Sequence, residues 1–240
     1  MGDAAGDPSG PRQARVDQFA QLPEVFRDLR MGIGRPVIVS IGGAGSMAAE
    51  YMVAMARILT GQILSALDGW GAAIVDGGTD SGVMRVMGRV RDATSASFPL
   101  IGVAALGNVI APGIRAQPDA AEFEPHHTHF VLVPGAVWGD ESPWLSRVAM
   151  VIASGRPSLT LVVNGGQVTY DDIGYSLEDG RPVIVLAGTG RAADSIAAAA
   201  RGDVDDPRAA LVAASPLTRI VPSGDSQALY SVMESILAPA

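Results

Sequence analysis

The residues best suited to chemistry sit where apolar runs end. Ala72-Ala73-Ile74-Val75 leads directly into Asp76-Gly77-Gly78-Thr79-Asp80-Ser81-Gly82, and Val83-Met84 opens a helical pattern. This reads as a buried strand, a tight loop and a helix start. Glycine lets a backbone come close to a ligand and take positive φ. Thr79, Asp80 and Ser81 are residue types that cap helices, and the free N–H groups of a helix N-terminus attract anions, most often phosphate. Three further runs end in the same way, at Gly42-Gly43-Ala44-Gly45, Asn164-Gly165-Gly166 and Gly188-Thr189-Gly190-Arg191. A single turn of this kind is accounted for by the demands of a short strand–helix connection. Four along one sheet edge point to a phosphate- or nucleotide-sized site, because doubly wound sheets bind ligands outside the carboxyl ends of their strands.

The three histidines lie together in Pro125-His126-His127-Thr128-His129-Phe130. If a strand begins here, alternation puts His127 and His129 on one face and His126 on the other. Such a pair can chelate a metal, contact a ligand or a neighbouring loop, or simply line a strand entrance, and the sequence leaves all three open. Arg191 follows a Gly-Thr-Gly turn at a helix start, where a cation is unfavourable unless an anion or carboxylate is near. It is therefore a candidate for phosphate or for Asp194. Trp138, Trp144 and Tyr175 could stack on a base or pack in the core or a lid. Glu122, Glu124, Asp140 and Glu141 fall in loops and could serve as general acid or base, although no Gly-x-Ser-x-Gly elbow and no nucleophilic triad spacing appears. Arg85, Arg89 and Asp92 read as a solvated helix face.

Several classes are excluded outright. The 240 residues contain no cysteine, and all 17 basic residues are arginine. Disulfides, thiolate nucleophiles, Schiff-base lysines and the P-loop lysine are thus unavailable, and no turn fits G-x-G-x-x-G well. A net charge of −8 disfavours nucleic acid and anionic membrane as partners. The most apolar helical stretch, Met47 to Leu67, carries Glu50 and Arg57, and no leader-like segment precedes it. The expectation is a cytoplasmic protein without membrane insertion.

The elements that must position these residues are legible as an alternation. Strands are expected at 36–41, 72–75, 99–104, 128–133, 158–163 and 182–187, with an edge strand near 219–221. Helices are expected at 16–29, 47–67, 81–94, 142–153, 168–177, 192–200 and 226–237. Residues 1–15 read as a flexible tail, residues 106–125 as a long irregular segment, and 16–240 as one domain. Continuous Val/Ile/Leu strands alternating with helices mark a mainly parallel sheet covered on both faces. The predicted fold class is α/β, Rossmann-like and doubly wound.

The order of Ile74–Met84, Leu100–Ala104, His126–Val133, Asn164-Gly165-Gly166 and Ala187–Asp194 resembles the SLOG superfamily. Within it, the chain resembles stand-alone prokaryotic relatives of the SLOG (LSDAT) domain in the cytosolic N-terminal region of melastatin-type TRP channels. The resemblance spans about Pro36 to Ala200. It implies a Rossmann-like domain that binds a nucleotide-derived ligand such as ADP-ribose. On that analogy Gly77, Gly78, Thr79, Ser81 and Gly82 meet phosphate or ribose. Gly165, Gly166, Gly188, Thr189, Gly190 and Arg191 complete the site, with Asp194 in support. The chain is also similar in kind to the lonely-guy phosphoribohydrolases, whose motif is Pro-Gly-Gly-x-Gly-Thr-x-x-Glu. Aligned on Gly77-Gly78, the proline falls on Asp76, the third glycine on Asp80 and the glutamate on Met84. A thioether cannot assist glycosidic cleavage, so the expected role is a non-catalytic sensor with no catalytic or metal residues assigned. The expected ligand-binding set is Gly42, Gly43, Gly45, the two loops just named, Asn164, His127 and His129. The alternative is a nucleotide or NAD-derivative glycosidase using His127, His129, Glu124 or Glu141. With no effector domain in view, signalling is expected through a homodimer or higher homo-oligomer, or through a separate effector protein.

Overall fold

A computed structural model describes residues 10–43, 47–111 and 116–238. The apolar runs form the inner strands of one sheet: β2 (Val37–Gly42), β3 (Ala73–Asp76), β4 (Leu100–Ala105), β5 (His129–Val133), β6 (Ser158–Val163) and β7 (Val183–Ala187). The edges are β1 (Arg12–Arg15) and β8 (Thr218–Pro222), and the order across the sheet is β1-β5-β4-β3-β2-β6-β7-β8. Every pairing is parallel. The chain therefore winds outward from β2 in one direction, returns, and winds outward from β6 in the other. The point of reversal lies between β2 and β6.

The connecting helices bury both faces, which is why the strands are apolar on both sides. One face packs α1 (Leu22–Asp28), α5 (Ser142–Ala153), α6 (Gln167–Glu178), α7 (Arg191–Ala199) and α8 (Pro207–Ala214). The other packs α2 (Ala49–Leu59), α3 (Gln62–Trp70), α4 (Gly82–Ala93) and α9 (Ser226–Leu237). No described helix is long and apolar enough to cross a membrane.

Four local expectations are corrected. Arg12–Arg15, expected in a tail, pairs with β5 as an edge strand; a polar edge strand has no hydrophobic alternation to announce it. The helix expected over 47–67 is two, broken at Thr60 and Gly61, where Gly61 takes φ +147°. The helix expected over 16–29 is a short 3-10 turn, Phe19–Gln21, followed by α1. α8 was not expected, although Asp206 caps it through the Arg208 N–H and Pro207 opens it.

Candidate functional site

Unequal strand lengths create the site. Val39 pairs with Val75, so the last residue of β3, Asp76, is level with Ser40, and β2 continues two residues further to Gly42. Asp76 also pairs with Gly102, and β4 continues three residues further to Ala105. At about 3.3 Å per residue, the early end of β3 leaves a trough roughly 7–10 Å deep between its neighbours. A cavity of about 560 Å³ occupies it, walled by Ser40, Ile41 and Gly42 on one side and Ala104 and Ala105 on the other. It adjoins the point where the strand order reverses, the place where open α/β sheets bind ligands, and its size suits a small molecule.

Glycines allow the strand ends to converge. A Cβ at Gly42 would lie 1.9 Å from the Val163 carbonyl oxygen, and one at Gly43 2.4 Å from Asn164 Oδ1. Gly78, at φ +68°, passes so close to β4 that a Cβ would lie 2.7 Å from Gly102 Cα. The loop after β3 is then pinned from above: Asp80 N donates to Glu122 O at 2.8 Å and Glu124 N to Gly78 O at 2.9 Å. Arg85, expected in a solvated face, instead pairs with Asp80 at 2.7 Å.

On one side of the trough the helix starts face the cavity. Ser81 is the N-cap of α4 and Gly166 that of α6, and neither helix has a side-chain cap bond; the Ser81 hydroxyl sits 3.0 Å from that of Thr79 instead. Gly77, Thr79, Ser81, Gly166 and Arg191 all line the cavity. Arg191 opens α7 in the left-handed region, φ +53°, as does Asn164 at φ +62°; non-glycine residues held there mark strain that tends to gather at functional sites. The Arg191 guanidinium lies over Gly166, where a Cβ would come within 2.9 Å of its Nη2.

The remaining β6 and β7 residues brace rather than line. Asn164 N donates to Thr189 Oγ1 at 2.7 Å, Asn164 Nδ2 to Thr189 O at 2.6 Å, and Thr189 Oγ1 to Leu186 O at 2.7 Å. Asp194 accepts from Gly188 N at 2.5 Å and Gly190 N at 3.1 Å, fixing the turn that presents Arg191. Gly165, at φ +98°, packs on Thr169, whose hydroxyl accepts the Gly166 N–H at 3.0 Å. Gly82, at φ +47°, is buried at the start of α4. Gly45 lies outside the described residues.

Neither His127 nor His129 lines the cavity. His127 is buried beneath the β3 loop, Nε2 2.8 Å from Asp76 Oδ1 and Nδ1 2.8 Å from Glu124 Oε2, with its ring stacked on Phe130 at 5.3 Å. Burial pushes its pKa down, but the charges and hydrogen bonds of Asp76 and Glu124 outweigh that and raise it to about 9. It is an imidazolium between two carboxylates, donating from both nitrogens. Asp76 Oδ1 also accepts Gly78 N at 2.8 Å, so the same carboxylate holds the histidine and the cavity-lining loop after β3. Glu124 further accepts His126 N at 2.9 Å and meets His126 Nδ1 at 2.6 Å. Burial raises the Glu124 pKa, yet the hydrogen bonds from His127 and His126 bring it below its ordinary value. Gly88 on α4 makes room for Glu124: a Cβ there would lie 1.9 Å from Oε2. His129 sits near the opposite, amino end of the strands, 2.7 Å from Thr128 Oγ1, and burial keeps its pKa low. Among the described residues no group of three or more His, Cys, Asp or Glu is placed to hold a metal ion.

The other side of the trough holds residues that no turn motif signalled. Asn108 follows β4, Trp138 and Glu141 follow β5, and Asp172 lies on α6; all line the cavity. Burial raises the Glu141 pKa against the N–H groups of Glu141 and Gly139, with Asp140 adding to it. Burial also raises Asp172, to about 7, with the Ser142 hydroxyl opposing and Glu141 and Asp171 reinforcing. The available signal was helical: Thr169 and Asp172, three apart, share the face of α6 that looks onto the strand ends. Met84 lines the cavity too, so the position of the lonely-guy glutamate is present in the site as a thioether.

A family model described as SLOG in TRPM, prokaryote, matches residues 35–230. The chain belongs to this family. Among solved structures, this SLOG chain is similar to the molybdenum cofactor binding protein from the phototrophic bacterium Rippkaea orientalis. The identity is 12%, the match covers 83% of this chain and 98% of that one, and the TM-score is 0.50. At that identity the likeness is one of fold. The Rossmann-like architecture and the family together fit a ligand-binding role for the SLOG domain described here.

Proposed function

We propose that this chain is a non-catalytic binding or sensor domain for a phosphate-bearing, nucleotide-derived ligand, ADP-ribose-like or related. The observation that carries this reading is the cavity itself. At the strand-order reversal, two helix starts whose N-cap residues, Ser81 and Gly166, make no side-chain cap bond meet a cation, Arg191, held in a strained backbone conformation. Backbone N–H groups at helix starts and a guanidinium are the groups that recognise phosphate. Met84 in place of a carboxylate supports binding without cleavage. The molybdenum cofactor binding protein of similar fold widens the ligand class to the molybdenum cofactor. In this reading ligand occupancy is passed on through a homodimer or higher homo-oligomer, or to a separate effector.

The test is a thermal-shift panel of ADP-ribose, NAD, ADP and the molybdenum cofactor, with native mass spectrometry of the purified protein for anything carried along. A ligand at a hundredfold excess over its Kd stabilises by about 2.7 kcal/mol. No shift across the panel and no co-purifying small molecule would overturn the reading. A second reading, a nucleotide or NAD-derivative glycosidase, is favoured by one observation: Glu141 lines the cavity and holds its proton above the ordinary range. Free base released from a panel nucleotide, and lost in Glu141→Gln, would select it.

A further inference from the structure

The two sides of the cavity differ in chemistry. The β6 and β7 loops, with the α4 start, contribute N–H groups and Arg191, while the β4 and β5 ends and α6 contribute Asn108, Glu141 and Asp172. β4 and β5 lie on one side of β2 and β3 while β6 and β7 lie on the other, so Asn108 and Glu141 face the β6 and β7 loops across the trough; Asp172 meets Ser142 and Glu141 from the body of α6, beyond its start. A phosphate is repelled by the second set, so that set must face another part of the ligand.

The second set is short of partners. Asn108 is 2% exposed, and neither its Oδ1 nor its Nδ2 has a hydrogen bond. Asp172 Oδ1 is buried with none. Among the described residues the Glu141 carboxyl accepts only from backbone, the Gly139 N–H at 3.1 Å to Oε2 and its own N–H. Buried polar atoms left unpaired cost about 1–3 kcal/mol each, and folded proteins keep few of them. Among the described residues nine buried side-chain atoms are in this position, and four of them, Asn108 Oδ1 and Nδ2, Asp172 Oδ1 and Ser40 Oγ, belong to residues that line this cavity.

Two carboxyl groups and a carboxamide can accept and donate, but their acceptor oxygens outnumber their donors. The complementary group carries adjacent O–H donors. A carboxylate offers two oxygens to the two hydroxyls of a vicinal diol, and Rossmann-type sites hold ribose in this way. Trp138 supplies a different surface at the rim: it is 37% exposed, and its Nε1 donates to Asp119 Oδ2 at 2.8 Å, which holds the indole as a platform for a base.

We propose that Glu141, Asp172 and Asn108 form a sugar subsite that binds the vicinal hydroxyls of a ribose, so that the ligand carries phosphate and a free ribose diol. This rests on the nucleotide reading given above. It makes the diol the feature that discriminates among phosphate-bearing ligands.

The test is calorimetric titration of the full chain with ribose 5-phosphate, 2-deoxyribose 5-phosphate, GDP and ADP-ribose, in the wild type, Glu141→Gln and Asp172→Asn. Ribose 5-phosphate should bind at least tenfold tighter than its 2-deoxy counterpart, and ADP-ribose should bind at least tenfold more weakly to either variant. Equal affinity for the two sugar phosphates, or ADP-ribose affinity unchanged in both variants, overturns the subsite while leaving the nucleotide reading standing. GDP binding tightest, with an equal loss in the variants for its 2′,3′-dideoxy counterpart, which has no diol, would overturn it in favour of a base-reading wall. Absence of binding by all four ligands removes the nucleotide reading and the subsite together. Both variants are checked for an unchanged circular dichroism spectrum, and the wild-type sugar comparison needs no variant at all.

Discussion

Two buried acidic clusters flank the same short strand, and they are built on opposite principles. Beneath the β3 loop, Asp76 and Glu124 each have a cationic partner in His127, and Gly78 N and His126 N take up further lone pairs. Across the trough, Glu141 and Asp172 have no cation among their hydrogen-bond partners in the described residues, and acidic neighbours act against the ionisation of each, Asp140 on Glu141 and Glu141 and Asp171 on Asp172. A buried network tied to a cation fixes geometry even with one oxygen, Asp76 Oδ2, left unpaired; one without a cation costs stability until something else completes it. The first cluster is therefore scaffold for the β3 loop that lines the cavity. The second is where the fold gives up stability, as binding sites commonly do.

The largest expected effect comes from breaking the cation-paired cluster. His127→Leu leaves two carboxylates buried with no cation, and removal of one partner from a buried ion pair costs about 3–5 kcal/mol. Chemical denaturation at pH 7 should show a loss of that order. A loss under about 1 kcal/mol would mean that the carboxylates find water or protons and that the triad does not brace the loop. Gly88→Ala attacks the same cluster from α4, since the added Cβ falls 1.9 Å from Glu124 Oε2. Overpacking of this kind costs about 1–3 kcal/mol. Glu124 cannot retreat without releasing His126 and His127, so the loss should shrink when measured in the His127→Leu background.

The contrast between the clusters mirrors what the sequence revealed. Strand ends were legible because Val/Ile runs stop at glycine, and those glycines carry real geometric demands, as at Gly42 against Val163 and Gly78 against Gly102. The edge strand Arg12–Arg15 was not legible, since an edge with polar residues has no inward pattern. Within the site, the glycine turns and Arg191 were signalled by position. His127 was singled out, but its partner Asp76 is 51 residues away, and local spacing cannot distinguish a ligand-contacting histidine from one locked between carboxylates. Asp172 and Asn108 were missed for a related reason. One lies inside an amphipathic helix and the other in a long loop, and only the early end of β3 turns both towards a cavity.

The clusters should also separate by pH. His127, raised from 6.5 to about 9, contributes stability that is whole below pH 6.5 and is lost as pH rises towards 9. Asp172, raised from 3.8 to about 7, keeps its proton in the folded state after the unfolded chain has lost its own. Its contribution is therefore whole below pH 3.8 and is lost as pH rises towards 7. Melting curves of the ligand-free protein should fall through both windows. Asp172→Asn should abolish the lower one alone, making the protein about 1 kcal/mol more stable at pH 8 and no more stable at pH 4. If Asp172→Asn lowers stability at pH 8, the ionised carboxylate has a partner that offsets its burial, and the contrast between the two clusters fails.

The smallest expected effect on stability is at Arg191, and it is informative for that reason. An L-residue in the left-handed region costs about 1–2 kcal/mol relative to glycine, yet an arginine stands here at φ +53°, directly after Gly190 at φ +90°. Arg191→Gly removes the backbone strain together with the side chain and its contacts, effects of opposite sign, so the melting temperature should move little. Affinity for inorganic pyrophosphate should nevertheless drop at least tenfold, since the guanidinium lines the cavity beside the α6 start. A stability loss above about 2 kcal/mol with unchanged pyrophosphate binding would make Arg191 a structural tie across Gly166. It would move the anion site to the α4 and α6 starts alone. Retained stability with lost binding would show that the strain at this position is kept for the ligand, and that both sides of the trough, like the acid wall opposite, trade folding free energy for recognition.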